Sequence, residues 1–341
     1  MPIIICNLLA LFLLSSAQAA VGLLEIPARQ DAPALSIFYP AQGENQPVLR
    51  EKLGFSALPN AIPRVGNGRL IVISPGSGSS PWVHADLSAL LVEAGFVVAI
   101  PTHPFDNHQS KRNTGPTSWK TRPGDMSASI DALAKDRRFA GLKLDKVGML
   151  GGSAGGHTAL TLAGGRWSPA RLVKHCDTHI REDFNACAGL VFSLNGDWLD
   201  AAKIRTTQAI LHWRFNEPRE YSHFDQRIAA IVAVVPYVVT FDLATLAQPK
   251  VPLALITARR DVWLHPQFHS DPLLKICRSC VLLHEFKTGG HGAMLSPIRR
   301  DYTGLAARLI NDPPGFDRKE VLLANRKVRD FFVQRLTGIA L

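Results

Sequence analysis

The sequence predicts an α/β fold: a mostly parallel central sheet with helices on both faces and a cap inserted between two of its later strands. Three observations predict it. The stretches 146–150, 227–235 and 251–258 are apolar runs without strict alternation, the pattern of strands buried on both faces. The first run passes through Gly151-Gly152-Ser153-Ala154-Gly155 into the helix-forming stretch Thr158–Ala163, a strand, turn and helix in close succession. With 341 residues, 46% of them hydrophobic, the chain can bury one large core, and it carries no internal repeat, low-complexity tract or long linker.

Taken in order, residues 1–20 hold no charge, and Ile3–Leu14 is apolar and ends before Ala17-Gln18-Ala19. This predicts a signal peptide over 1–19, too short to span a bilayer, although no Lys or Arg stands near its start. The mature chain, 20–341, would then be periplasmic or secreted. A strand is expected at Ile71–Ser74, and then at 146–150. Between the helix after Ser153 and the run at 227–235 lie about sixty residues, Gly165–Asp225, that do not read as one strand-helix unit. An interval of that length can build a cap. Its Trp167, Trp198 and Trp213 are expected to pack the cap's own small core rather than line a pocket, whereas Trp82 and Trp263 are expected as pocket walls. The last strand is expected at Val281–Phe286.

Ser153 is the candidate nucleophile. A serine on a sharp turn between strand and helix needs neighbours without side chains, so that the two elements can pass closely, and the helix N-terminus then faces a developing oxyanion. Its partners must follow in the order acid, then His, at strand ends. Asp261 follows the run 251–258 in Arg259-Arg260-Asp261, where the strand should end, and His291 lies in the Gly-rich loop Thr288–Met294 after the last strand. Asp242 also follows an apolar run and remains an alternative acid. A dinucleotide loop at Gly76-Ser77-Gly78 is excluded because Pro81 occupies the third glycine position. The chain contains neither a His-Glu-x-x-His pair nor a phosphate loop ending in Gly-Lys-Ser/Thr, and serine chemistry requires no metal or organic cofactor.

On these residues the chain resembles the α/β-hydrolase superfamily, and within it the dienelactone hydrolase and platelet-activating-factor acetylhydrolase-like branch. The resemblance covers about Leu35–Leu336 and is carried by Ile71–Gly78, Ala94–Pro104, the Ser153 turn and Gly290–Pro297. That branch usually reads Ser-His-Gly where this chain has Ser74-Pro75-Gly76, a departure that bears on the loop's hydrogen bonding and not on the serine chemistry. The resemblance implies a Ser153-His291-Asp261 triad, with backbone N–H groups of Ser77 and Ala154 as oxyanion donors. It implies hydrolysis of a small-molecule ester or lipid: short acyl esters, lactones or lipid acetyl esters. A peptidase or amidase would use the same triad, but the large N-terminal propeller common in such peptidases is absent from this sequence. A non-catalytic binding protein would be expected to have lost a triad member, and none is lost.

Export makes the cysteines legible. Cys176, Cys187, Cys277 and Cys280 remain after the leader, an even number that allows three connectivities. The local pairs Cys176–Cys187 and Cys277–Cys280 are favoured; a redox or zinc role for Cys277 and Cys280 lacks sequence context. The formal net charge of +10 is scattered in pairs, Lys111-Arg112, Arg137-Arg138, Arg259-Arg260 and Arg299-Arg300, without the basic run of a nucleic-acid binder. Nucleic acid is therefore not an expected partner, and transient contact with an anionic envelope is the residual reading.

Overall fold

The computed structural model of the chain describes residues 19–189, 191–299 and 302–339. The leader expected over 1–19 lies outside them, except for Ala19. Twelve strands and nine α-helices are formed among the described residues. β1 (Ala19–Ile26), β2 (Ala34–Gln42), β3 (Gln46–Arg50) and β4 (Leu53–Pro59) make an N-terminal, largely antiparallel extension that the sequence reading did not assign. The central strands are β5 (Leu70–Ser74), β6 (Val97–Thr102), β7 (Val147–Gly152), β9 (Ile228–Val234), β11 (Leu253–Ala258) and β12 (Val281–Phe286). Ten of the strands form one sheet in the order β12-β11-β9-β7-β5-β6-β2-β1-β4-β3, and the first six are parallel to one another.

The apolar runs became strands because no face of them meets water. Every residue of β5 and of β11 is buried. Removing a Val, Leu or Ile side chain from water in this way contributes about 1.5–3 kcal/mol each. On one face lie α2 (Pro116–Lys135) and α3 (Ala154–Leu162), through Met126, Ile130 and Leu160. On the other lie α1 (Ala85–Glu93) and α9 (Lys319–Phe332), through Leu91, Val328 and Phe332. The chain leaves β5 to one side for β6 and later returns on the other side as β7. The loops at the C-terminal ends of β5 and β7 therefore diverge and leave a crevice, the place where open α/β sheets bind ligands.

Between β7 and β9 the chain forms α3, β8 (Arg166–Trp167), α4 (Pro169–His179), α5 (Phe184–Ala188) and α6 (Asp200–Phe215). β8 pairs with β10 (Phe241–Asp242) in a separate two-stranded sheet. The tryptophan expectations need correction. Trp167 is fully buried, but against Trp119, His157 and Tyr221, in the main core rather than in a separate small one. Trp198 and Trp213 are 86% and 85% exposed and pack no core. Trp82 stacks on Phe55 in the opposite core and does not line the cavity over Ser153, because its segment, Pro81–His84, starts the helical layer behind the sheet.

Candidate active site

The turn after β7 holds Ser153 at φ 56° and ψ −117°, a left-handed conformation that a non-glycine residue keeps only when its surroundings enforce it. Here they do. Ser153 N–H donates to Val234 O (3.0 Å), and its carbonyl accepts from His157 N–H (3.0 Å). A Cβ on Gly151 would stand 2.0 Å from Gly155 O, and one on Gly155 would stand 1.9 Å from Ser74 O. Both positions must lack side chains for β7, α3 and the β5 loop to meet.

β11 ends at Ala258, and Asp261 follows in a buried turn where its Oδ1 accepts from Trp263 N–H (2.8 Å) and Leu264 N–H (2.9 Å). Its Oδ2 stands 2.7 Å from His291 Nδ1, and His291 Nε2 stands 2.9 Å from Ser153 Oγ. An ionised carboxylate only accepts, so Nδ1 carries the proton of the neutral ring and Nε2 accepts from the serine hydroxyl. His291 reaches this position because its loop passes tightly: a Cβ on Gly292 would stand 2.3 Å from Ile310 O. The alternative acid, Asp242, is elsewhere, accepting from Ala244 N–H at 3.2 Å with Arg166 and Arg171 close by.

Ser77 and Ala154 line the same cavity as Ser153 and His291. The loop that carries Ser77 is held by residues the sequence reading did not single out. Arg122, fully buried on α2, donates from Nη1 to Pro75 O (2.7 Å) and from Nη2 to Gly76 O (3.3 Å). Asp106 Oδ2 accepts from Arg122 Nη2 (2.8 Å) and Ser118 Oγ (2.5 Å), while Oδ1 accepts from Ser77 Oγ (2.6 Å) and Gly78 N–H (3.0 Å). Burial pushes the Asp106 carboxyl up, but the Arg122 charge and the Ser118 and Ser77 hydroxyls outweigh it and leave it below the usual range. Ser74 Oγ lies 2.8 Å from His103 Nε2, whose Nδ1 is 2.8 Å from Asp125. The hydrogen bonds that hold this loop are thus supplied from the loop after β6 and from α2.

Burial, together with the Arg122 charge, lowers His103 to about 4, and burial alone lowers His84 to about 4. A histidine with a folded value below its unfolded value of about 6.5 binds fewer protons when folded, so stability falls as pH drops from about 6.5 to about 4. Each of the two should account for a loss on the order of 3 kcal/mol across that window. Denaturant unfolding at pH 7.5 and pH 4.5 checks this; unchanged midpoints would show that neither ring is held neutral.

The cavity over Ser153 has a volume of about 460 Å³ and is walled by Trp119, Leu172, Phe192, Leu211, Tyr237 and Trp263. Of the expected pocket walls Trp263 is therefore present and Trp82 is not. One wall comes from α4–α6 and is fastened at two points. Tyr237 Oη donates to Ala186 O (2.7 Å), and a Cys176–Cys187 disulfide joins α4 to α5. Cys277 and Cys280 form a second disulfide, so both favoured pairings are present. Next to α5, buried Asp183 contacts His175 Nε2 (2.8 Å) and lies 3.3 Å from His269 Nε2. Burial pushes its carboxyl up, yet the two histidines hold it at about 2. Among the described residues no group of three or more His, Cys, Asp or Glu is arranged to hold a metal ion, and no helix is long and apolar enough to cross a membrane.

No protein-family model matches the chain, and no curated relative matches it. Solved structures do. A ferulic acid esterase from Streptomyces cinnamoneus is similar over 96% of this chain and 93% of its own, at a TM-score of 0.59 and 15% identity. At that identity the likeness speaks to architecture: the chain has an α/β-hydrolase fold.

Proposed function

We propose that the protein is an exported serine hydrolase that cleaves carboxylic esters through a Ser153-His291-Asp261 triad. The observation that carries the reading is the continuous chain from Asp261 Oδ2 through both ring nitrogens of His291 to Ser153 Oγ, at 2.7 and 2.9 Å. His291 Nε2 takes the hydroxyl proton as Oγ attacks the ester carbonyl, and Asp261 fixes the tautomer and stabilises the imidazolium. The backbone N–H groups of Ser77 and Ala154 receive the oxyanion, each typically worth on the order of 3 kcal/mol in the transition state. Collapse of the tetrahedral species passes the His291 proton to the departing alcohol, and water then attacks the acyl-enzyme by the same route.

In this reading α4–α6 are the cap over the acyl cavity, whose apolar walls favour an apolar acyl or aryl group. Two disulfides support an oxidising compartment, as export would provide. The ferulic acid esterase with this fold is in keeping with an ester substrate. The test is hydrolysis of 4-nitrophenyl esters from acetyl to palmitoyl by the mature protein, together with fluorophosphonate labelling. Turnover with a label on Ser153 supports the reading, and the chain-length optimum reports the depth of the cavity. Absence of both turnover and labelling would refute it.

A further inference from the structure

Asp183 and His269 are both buried and both ionisable, and the serine chemistry uses neither. His269 stands on the connection between β11 and α7 (Ser270–Ile276), downstream of Asp261. Its Nδ1 accepts from Val238 N–H (3.0 Å), so the proton of the neutral ring sits on Nε2, which stands 3.3 Å from Asp183 Oδ2. Burial holds the ring below the usual histidine range against the pull of Asp183, which keeps Nδ1 an acceptor at neutral pH. The pairing of carboxylate and imidazole repeats that of Asp261 and His291, but here the accepting nitrogen meets main chain instead of a hydroxyl.

Val238 belongs to the connection after β9, and that connection is strained. Val235 takes φ 37°, in the left-handed region, which a β-branched residue keeps only under constraint. Between Val235 and Val238 lies Tyr237, whose ring walls the cavity over Ser153. The ring centroid is 4.7 Å from that of Trp119, another wall of the cavity, and 5.2 Å from that of His269. Its hydroxyl donates to Ala186 O on α5 (2.7 Å). His269 itself does not line the cavity.

We propose that His269 is a positioning residue for acyl-chain selection: by accepting from Val238 N–H and packing against the Tyr237 ring, it fixes a wall that a long acyl group lies against. The proposal deepens the esterase reading and rests on it. Without the acceptor the strained connection relaxes and Tyr237 shifts. Ser153 keeps its place, because Val234 O and His157 N–H hold it separately. An acetyl group occupies little of the cavity and is indifferent to the shift, whereas an octanoyl group is not.

The test compares 4-nitrophenyl acetate and octanoate in three variants of the mature protein. His269→Asn keeps an acceptor at the place of Nδ1, His269→Gln carries its amide out to the place of Nε2, and His269→Leu has neither. For the octanoate, His269→Gln and His269→Leu should raise KM about tenfold or more, and His269→Asn should stay within about threefold of the wild type. For the acetate, all three should keep kcat/KM within about threefold. A parallel loss with both esters, or failure of His269→Gln and His269→Leu to fold, would make His269 structural only and overturn the proposal. An unchanged octanoate KM, or equal values in His269→Asn and His269→Gln, would overturn it as well. A wild-type protein that turns over neither ester and takes no fluorophosphonate label on Ser153 would instead remove the esterase reading itself.

Discussion

Replacing Ser153 by Ala should lower kcat about 10⁶-fold, and Asp261→Asn should lower it about 10⁴-fold while leaving KM within a few-fold. The two numbers differ for a reason visible in the site. Alanine removes the attacking oxygen, leaving only the cavity and its N–H donors. Asparagine keeps the volume of Asp261 and can still accept from Trp263 and Leu264 through one oxygen, but it turns an N–H towards His291 Nδ1. The ring must then present a lone pair at Nδ1 and a proton at Nε2, the wrong tautomer for taking the Ser153 proton. Single-turnover kinetics with a 4-nitrophenyl ester would check both variants. An Asp261→Asn enzyme with unimpaired kcat would end this assignment, and Asp242, which faces Arg166 and Arg171, would not rescue it.

The second large effect concerns Arg122. Both it and Asp106 are removed from solvent, and breaking a buried pair by truncating one partner typically costs about 3–5 kcal/mol, because the remaining charge is left uncompensated. Arg122→Met should therefore lower Tm on the order of 10 °C and also depress kcat, since the carbonyls of Pro75 and Gly76 lose their donors. Removing both charges, Arg122→Met/Asp106→Leu, should recover much of the stability but little of the kcat. That divergence is what separates positioning of the Ser77 loop from simple support of the fold. A double variant that regains activity along with stability would assign the pair a structural role alone.

Much of the geometry around Ser153 was legible because its determinants are local. The close approach at Gly151 and Gly155 demands glycine within two residues of the serine, and the triad order follows from strands that announce themselves as unbroken apolar runs. Disulfide pairing was legible for the same reason: both bridges close short loops. Asp106 and Arg122 gave no signal. They are sixteen residues apart in an exposed-looking polar stretch, and their burial depends on how α2 docks beneath the β5 loop. Trp82, Trp167, Trp198 and Trp213 were misread, and Trp263 was not, because a large aromatic is equally suited to a core, a pocket wall or a surface. Only tertiary neighbours decide, and Trp82 found Phe55 whereas Trp213 stays largely exposed. In the extension β1–β4, the last two strands escaped notice because they are short or half-exposed and joined by a tight turn, without the apolar signature of the central six.

Arg122 grips the loop after β5 through main-chain oxygens, the one kind of atom that substitution does not change. The anchoring is therefore blind to the identity of residue 75. A histidine, a proline or another residue can stand there over evolutionary time without loosening the hold, provided the carbonyl points the same way. Drift at this position is decoupled from the loop's shape, so the motif that a sequence comparison would look for first is also one that selection is free to erase.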